Sequence, residues 1–259
     1  MRETVTLPPA VRRLLAGNPG TMTLDGTNTW IVDAGSERIV IDPGPRLTAH
    51  LRGIAAAGPI AAFLLTHRHA DHAEAIDAFP DIPVHAGDAT LARHAEPLRD
   101  GEELVFGSVR IRAHATPGHT DDSMCFTAEL PRASAAGAMP VVFLGDTLLA
   151  GRRSTYLAFT GDLAALLLSL DRLAAWRGRL GLPGHGPMVR DVADAATDAL
   201  QHHGARLAAL RKRLDAHRRS GETADPDAIA RSRHPGRPEL WAASRRQVVA
   251  ELEYLLVHP

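Results

Sequence analysis

Thr66-His67-Arg68-His69-Ala70-Asp71-His72 is the stretch that decides the fold and indicates the chemistry. The run before it, Ala61 to Thr66, is apolar and predicts a buried strand that leads directly into these residues. In an extended chain His67 and His69 project to the same side, whereas Asp71 and His72 fall in the turn that opens a helix. Imidazole and carboxylate are the groups that bind zinc. The stretch therefore predicts part of a metal site at the end of a strand.

Three further candidate ligands follow apolar runs of the same kind. They are His119 in T-P-G-H-T, Asp146 after V-V-F-L-G and His185 in P-G-H-G-P. Gly or Pro beside each of them predicts a sharp turn at a strand end. Seven groups can fill two small coordination shells that each leave one position open for water or substrate. The candidate metal ligands are His67, His69, Asp71, His72, His119, Asp146 and His185.

The ordered set T-H-x-H-x-D-H, T-P-G-H-T, G-D and P-G-H-G resembles the metallo-β-lactamase superfamily of binuclear metallohydrolases. A second block, running from Asn18 to Gly44, is similar to the subgroup called β-lactamase-like protein 2, which is related to the glyoxalase II thioesterases. The resemblance implies an α/β fold, an αββα sandwich with the metal site at one edge and a small helical, winged-helix-like C-terminal domain. We expect a catalytic domain over residues 1–190 and the C-terminal domain over residues 191–259.

The same resemblance implies a role for each ligand. His67, His69 and His119 would hold one ion, Asp71, His72 and His185 the second, and Asp146 would bridge both. Asp71 is also expected to take part in catalysis. The expected cofactors are two Zn²⁺ per chain, with Fe or Mn as alternatives.

Other polar residues near strand ends are candidates for supporting roles. Asp42 and Thr66 stand where they could orient the ligating imidazoles from a second shell. Candidates for substrate contact are Asn28, Thr29, Ser154 and Tyr156.

Three classes of function compete. The first is a binuclear zinc hydrolase that uses a metal-bridging hydroxide on a small acyl ester or thioester, with an endoribonuclease or phosphodiesterase on single-stranded RNA as the alternative. The second is a mononuclear iron sulfur dioxygenase on the same fold. The third, a metal-free binding module, is disfavoured by the presence of all seven ligands. Subgroup members carry a His after H-T-D-D, whereas Ser123 stands here, so their RNA substrate does not carry over directly.

Composition is compatible with a hydrolase of small molecules. The chain has 259 residues, 45% of them hydrophobic, and a formal net charge of -1, which predicts no general attraction to nucleic acid or membranes. No G-x-S-x-G motif is present, and the single cysteine, Cys125, is expected to be a buried inert thiol. No secretory signal or long apolar span is evident, so we expect a cytoplasmic protein without an obligate protein partner.

The last part of the chain changes character. Helical patterns run over residues 191–218, 225–231 and 238–257. From Leu200 onward there are 11 Lys or Arg residues against 7 Asp or Glu. A basic cluster between Arg206 and Arg219 is interpreted either as a solvated helix face or as a wall for an anionic substrate such as RNA.

Overall fold

The computed structural model describes residues 6–130, 140–151, 160–220 and 223–258. Ser154 and Tyr156, two of the residues expected to contact substrate, lie outside these residues. The first of two five-stranded sheets has the order β1-β2-β3-β4-β5. The pairs β1–β2 and β2–β3 are antiparallel, and the pairs β3–β4 and β4–β5 are parallel. Its strands are β1 (Val11–Leu15), β2 (Asn28–Asp33), β3 (Arg38–Ile41), β4 (Ile60–Leu64) and β5 (Val84–His85).

The second sheet has the order β10-β9-β8-β7-β6. Its strands are β6 (Glu103–Phe106), β7 (Val109–Ala115), β8 (Met124–Glu129), β9 (Val141–Gly145) and β10 (Leu180–Pro183). β8 is antiparallel to both β7 and β9, and β9 is parallel to β10. Therefore β7, β9 and β10 run in the same direction, and their C-terminal ends meet at one edge of the sheet.

The two sheets pack face to face around the main hydrophobic core. Ile41 and Leu64 of the first sheet meet Ile111, Phe126 and Phe143 of the second, and none of these five side chains is exposed. Burial of this much apolar surface is the main stabilising contribution to such a sandwich.

Helices cover the outer faces of both sheets and complete four layers. The helices are α1 (Thr48–Ala55), α2 (Ala70–Ala73), α3 (Leu163–Ala174), α4 (Val192–Ser220), α5 (Pro226–Arg233) and α6 (Trp241–Val257). Ile54 of α1 packs with Val40 and Phe63 on one outer face. Leu166 of α3 and Val192 of α4 pack with the other sheet. The predicted αββα sandwich is confirmed.

The C-terminal region is helical, as expected. Helix α4 begins at Val192 and packs on α3, while α5 and α6 enclose a small cluster with Leu210 of α4. After residue 190, the described part of the chain contains no strand that could form a wing. Because α4 contributes to the core beside the second sheet, the boundary at residues 190–191 stays a prediction.

Within the described ranges, no helix combines the length and the apolar character needed to cross a membrane.

Candidate metal centre

The candidate ligands follow the C-terminal ends of four strands, in the loops after them or, for Asp71 and His72, in the short helix α2. His67 follows β4, and His119 follows β7. Asp146 follows β9 directly, and His185 follows β10. Because β7, β9 and β10 are parallel to one another, the last three loops meet at the same edge. All seven ligands predicted from the sequence are brought together there.

His67, His69 and His119 form the first group of converging nitrogens. Nε2 of His67 lies 2.9 Å from Nδ1 of His69, and Nε2 of His119 lies 3.1 Å from the same atom. The loop that carries His119 is seated on α3, since Ser169 donates a hydrogen bond to the Pro117 carbonyl at 2.7 Å. We call this group the first position; it offers the set of ligands that zinc accepts.

Asp71, His72 and His185 form the second group. Nε2 of His72 and Nε2 of His185 are 3.3 Å apart, and Oδ2 of Asp71 lies 3.4 Å from the former and 3.3 Å from the latter. We call this group the second position. The side chains of His72 and His185 are almost fully buried, whereas that of Asp71 is 29% exposed. The second position therefore opens to solvent beside Asp71.

Asp146 lies between the two positions. Its Oδ2 is 3.7 Å from Nε2 of His119 and 3.4 Å from Nε2 of His185, and its Oδ1 is 3.7 Å from Nε2 of His72. Oδ1 is buried without a hydrogen-bond partner among the described residues. A buried carboxylate oxygen in this state needs a cation or another donor. The residues present therefore fit a bound metal ion.

Hydrogen bonds with residues outside the two ligand groups decide which nitrogen of His67 and of His72 faces the site. Asp42 Oδ2 lies 2.8 Å from Nδ1 of His72 and accepts the hydroxyl hydrogen of Thr66 at 2.7 Å. Since Thr66 has given its only hydrogen to Asp42, Nδ1 of His67 donates to the Thr66 oxygen at 3.0 Å. In the neutral form of each ring the hydrogen is therefore on Nδ1 and Nε2 is directed inward with its lone pair, the arrangement that metal sites use. Asp42 and Thr66 thus contact His72 and His67 at the ring nitrogens that face away from the site.

The Gly26-Thr27 segment supplies contacts that the sequence reasoning missed. Nδ1 of His185 donates to the Gly26 carbonyl at 3.1 Å, and Thr27 Oγ1 donates to Oδ2 of Asp71 at 3.0 Å. Asn18 holds Thr27 in turn through its side-chain amide, at 3.0 Å from the Thr27 hydroxyl. The only sequence signal was the N-P-G and G-T-N-T block to which these residues belong, and it does not reveal which atoms meet.

Glycine at position 184 is required by close packing behind the site. A Cβ at Gly184 would lie 2.5 Å from both Oδ1 of Asp146 and Cε1 of His72. No heavy atom can approach a real Cβ that closely, so any side chain here would displace the two ligands.

The charges of the ligands are strongly coupled. Burial, together with His72 and His119, lowers the pKa of His67 well below its usual value. Burial and His119 lower the pKa of His69 to about 4. His67 and His69 are therefore neutral at pH 7 and keep their lone pairs.

At the second position, hydrogen bonds and neighbouring charges favour the charged forms of Asp71 and His185. Burial raises the pKa of Asp71, but the hydrogen bond with His185 and the charges of His72 and His185 together outweigh it and lower the pKa to about 2. Burial lowers the pKa of His185, but the charge of Asp146 and the hydrogen bonds with Asp146, Asp71 and the Gly26 carbonyl together raise it to about 11. Asp71 is ionised at neutral pH and attracts positive charge. A metal ion at the second position would displace the proton from His185.

Asn28 and Thr29 are enclosed within the protein beside the loops that carry the ligands. Both are fully buried. The Asn28 amide donates to the carbonyls of Pro183 and Gly186 at 3.0 and 2.9 Å, and Thr29 Oγ1 donates to the Asp42 carbonyl at 2.6 Å. In this conformation they brace the loops that carry the ligands, and their burial argues against direct substrate contact.

The basic cluster between Arg206 and Arg219 is partly engaged within the helical region. Arg206 binds Glu251 at 2.8 Å, Arg211 donates to the His258 carbonyl at 2.9 Å and Arg213 donates to the hydroxyl of Ser232 at 3.3 Å. These contacts give three of the basic side chains structural roles. Binding of RNA by this cluster stays a prediction.

Comparison with known proteins decides the family. The family model described as Metallo-beta-lactamase superfamily matches residues 22–89. The lactamase-like protein adaB of Aspergillus niger is 33% identical over 246 residues, which cover 88% of this chain and 74% of that protein. The chain belongs to the metallo-β-lactamase superfamily.

Other superfamily members extend the comparison. The atrochrysone carboxyl ACP thioesterase of Aspergillus fumigatus is 34% identical over 203 residues, which cover 73% of this chain and 60% of that protein. Against six of the curated relatives it matches, the chain spans 57 to 64% of the relative's length. The crystal structure of a metallo-beta-lactamase family protein from Thermus thermophilus has a TM-score of 0.76 at 22% identity, covering 98% of this chain and 95% of that chain. This likeness shows the common fold.

Proposed function

We propose that the chain is a binuclear zinc-dependent hydrolase of small acyl thioesters or esters. The observation that carries the proposal is the pairing of two three-ligand groups, His67-His69-His119 and Asp71-His72-His185, with Asp146 between them. Either group matches a catalytic zinc site, in which three protein ligands leave a position for water or substrate. Two adjacent positions suit hydrolysis, because one side can orient a nucleophilic water while the other polarises a carbonyl.

Two bound zinc ions would supply a water with a pKa of about 7 and would stabilise negative charge on the carbonyl oxygen. The chain's own residues prepare this chemistry. Asp42 and Thr66 hold His72 and His67 in the required tautomers, and Thr27 orients Asp71. Asp71 is an ionised carboxylate at the solvent side of the site, where it can accept a hydrogen bond from an incoming water.

The only cysteine has none of the properties of a catalytic nucleophile. Cys125 is fully buried in β8, and burial raises the pKa of its thiol to about 11. Its Sγ accepts a hydrogen bond from Thr116 at 3.4 Å and lies 3.6 Å from the Leu144 carbonyl. A thiol with so high a pKa is not nucleophilic at neutral pH. Covalent catalysis through Cys125 is therefore not part of the proposal.

The choice of a thioester rests on the relative named as an ACP thioesterase, which aligns with 73% of this chain. We infer for this chain only the class of that substrate, an acyl group joined through sulfur. Cleavage of single-stranded RNA has no contact in the described structure that favours it over the thioester.

The deciding experiment combines metal analysis with a substrate panel. The purified chain is loaded with zinc, its metal content is measured, and it is assayed on an acyl-thioester, a lactone, bis-p-nitrophenyl phosphate and single-stranded RNA. We expect close to two zinc ions per chain and turnover of the thioester. Asp146→Ala should lower kcat/KM by roughly a thousandfold, because stabilisation by metals amounts to several kcal/mol.

Cys125→Ser is the matched control in the same assay and should keep its activity. Protein that, before zinc is added, is purified with one iron and no zinc would refute the hydrolase proposal in favour of the dioxygenase. Cleavage of RNA without thioester turnover would replace the substrate class with a phosphodiester.

A further inference from the structure

Arg68 stands between two metal ligands, and its guanidinium contacts three carboxylates. Nε lies 3.0 Å from Oδ1 of Asp122 and 3.3 Å from Oδ2 of Asp88, and Nη2 lies 2.7 Å from Oδ1 of Asp121. The Asp122 and Asp88 side chains are 4% and 14% exposed and that of Arg68 is 34% exposed, so two of these contacts have a buried carboxylate and a partly exposed guanidinium. This places Arg68 among interactions stronger than an ordinary surface ion pair.

The three carboxylates join separate segments of the chain. Asp121 and Asp122 follow His119 in the loop after β7, and Asp88 follows β5. Arg68 itself lies in the loop after β4, between His67 and His69. The guanidinium therefore links the two loops that together carry all three ligands of the first position, and it attaches both to a third segment.

Neighbouring contacts hold the partners of Arg68 in place. Oδ1 of Asp88 accepts hydrogen bonds from the backbone nitrogen and the hydroxyl of Thr90, at 2.8 and 2.7 Å. A Cβ at Gly87 would lie 2.7 Å from the backbone oxygen of Asp122, so the two loops are in direct contact. Because Asp88 and Asp122 are themselves fixed, the position of Arg68 is determined on both sides.

We propose that Arg68 is a positioning residue that holds His67 and His69 at the correct spacing from His119, and that it thereby sets the metal affinity of the first position. The inference rests on the proposed function, since it assumes that a metal ion is held there. Without the guanidinium, Asp88 and Asp122 repel each other and the His119 loop loses its tie to the loop after β4. The second position has its own supports, Asp42, Thr27 and Gly26, and does not depend on this contact.

The test measures each position alone. In a His185→Ala background the first position keeps its three ligands, and in a His119→Ala background the second position does. Zinc affinity of each background is measured by competition with a chelator, with and without Arg68→Met. In the His185→Ala background we expect Arg68→Met to weaken zinc binding about tenfold or more, the size of effect found for residues that hold metal ligands in place. In the His119→Ala background the change should be less than about twofold.

Two further variants keep the result interpretable. Arg110→Met removes an exposed arginine that pairs with Glu103 at 2.6 Å on the remote β6–β7 hairpin, and it should change neither affinity. Arg68→Lys keeps the charge but cannot contact three carboxylates at once, so it should restore only part of the affinity. If Arg68→Met does not fold, the Arg68→Lys variant provides the measurement.

Equal zinc affinity in the His185→Ala background with and without Arg68→Met would overturn the inference. That result leaves the proposed function intact as long as the wild-type chain binds two ions and cleaves the thioester. Failure of the wild-type chain to bind a second ion would instead refute the proposed function.

Discussion

Asp42 accepts a hydrogen bond from His72 across 30 residues of sequence, with 2.8 Å between Oδ2 and Nδ1. Asp42 has a positive φ of 50°, a left-handed conformation that Asp and Asn tolerate better than most residues. Its backbone carbonyl is held by the hydroxyl of Thr29 at 2.6 Å. The backbone geometry therefore places the Asp42 carboxylate beside Nδ1 of His72, and this contact decides which nitrogen of His72 faces the metal position.

Asp42→Asn should weaken metal binding at the second position. Asn keeps the left-handed backbone, but its neutral amide holds the Nδ1 hydrogen of His72 less strongly, and we expect a loss of about 10- to 100-fold in zinc affinity. The measurement is competition with a chelator in the His119→Ala background. Asp33→Asn, which removes a half-exposed carboxylate beside Arg38, is the control and should leave the affinity unchanged. Wild-type affinity in Asp42→Asn would show that this contact does not orient the ligand.

Gly184→Ala should disrupt the metal centre while the sandwich stays folded. The added methyl group would press on Asp146 and His72, so zinc content and activity should both fall sharply. Gly204→Ala is the matched control, because a Cβ at Gly204 meets nothing within 4 Å and Ala favours the helix there. Zinc content is measured after dialysis, and folding by circular dichroism. Full zinc occupancy in Gly184→Ala would mean that the loop can move aside.

Glu251→Ala should destabilise the helical C-terminal region. Glu251 is fully buried and binds Arg206 at 2.8 Å and Arg233 at 2.6 Å. Removing the carboxylate leaves two guanidiniums without this partner, which we expect to lower the free energy of unfolding by about 3 kcal/mol. Arg245→Gln, which breaks an exposed ion pair with Asp227, should change it by less than about 1 kcal/mol. Urea denaturation measures both variants, and similar losses in the two would contradict the expected contrast.

Stability should fall in mild acid because of His203. This side chain is 1% exposed, and burial together with Arg206 lowers its pKa to about 4. Between about pH 6.5, the ordinary value of His, and pH 4, the unfolded chain binds a proton that the folded chain does not. The free energy of unfolding therefore decreases as the pH falls through this window, by up to about 3 kcal/mol.

His203→Leu tests this pH dependence directly. The variant should lose less stability than the wild type between pH 7 and pH 5, as measured by urea denaturation with a chelator present so that metal release does not contribute. Neither ring nitrogen of His203 has a hydrogen-bond partner within the described residues, so the substitution should cost little at pH 7. Identical losses in both proteins would exclude His203 as the source.

The sequence by itself determined the candidate ligands and their general placement. His67, His69, Asp71 and His72 stand close together in the chain, where local geometry decides which side chains share a side. The turns before His119, Asp146 and His185 carry Gly or Pro signals that are also local. For this reason the ligand set could be predicted before the structure was known, whereas the sandwich was implied by the family resemblance, and the structure brings all seven ligands to one edge.

Only the tertiary structure decided which residues support those ligands. The contacts of Thr27 with Asp71 and of Gly26 with His185 span 44 and 159 residues, and no local pattern encodes such distances. Asn28 and Thr29 were expected to meet substrate, yet both lie in β2, a strand whose first five residues are all buried. A strand covered on both faces by the sandwich loses the alternation of exposed and buried side chains from which such roles are inferred. The packing of the layers against one another, which sequence patterns do not encode, therefore buries Asn28 and Thr29 and brings Gly26 and Thr27 into contact with the ligands.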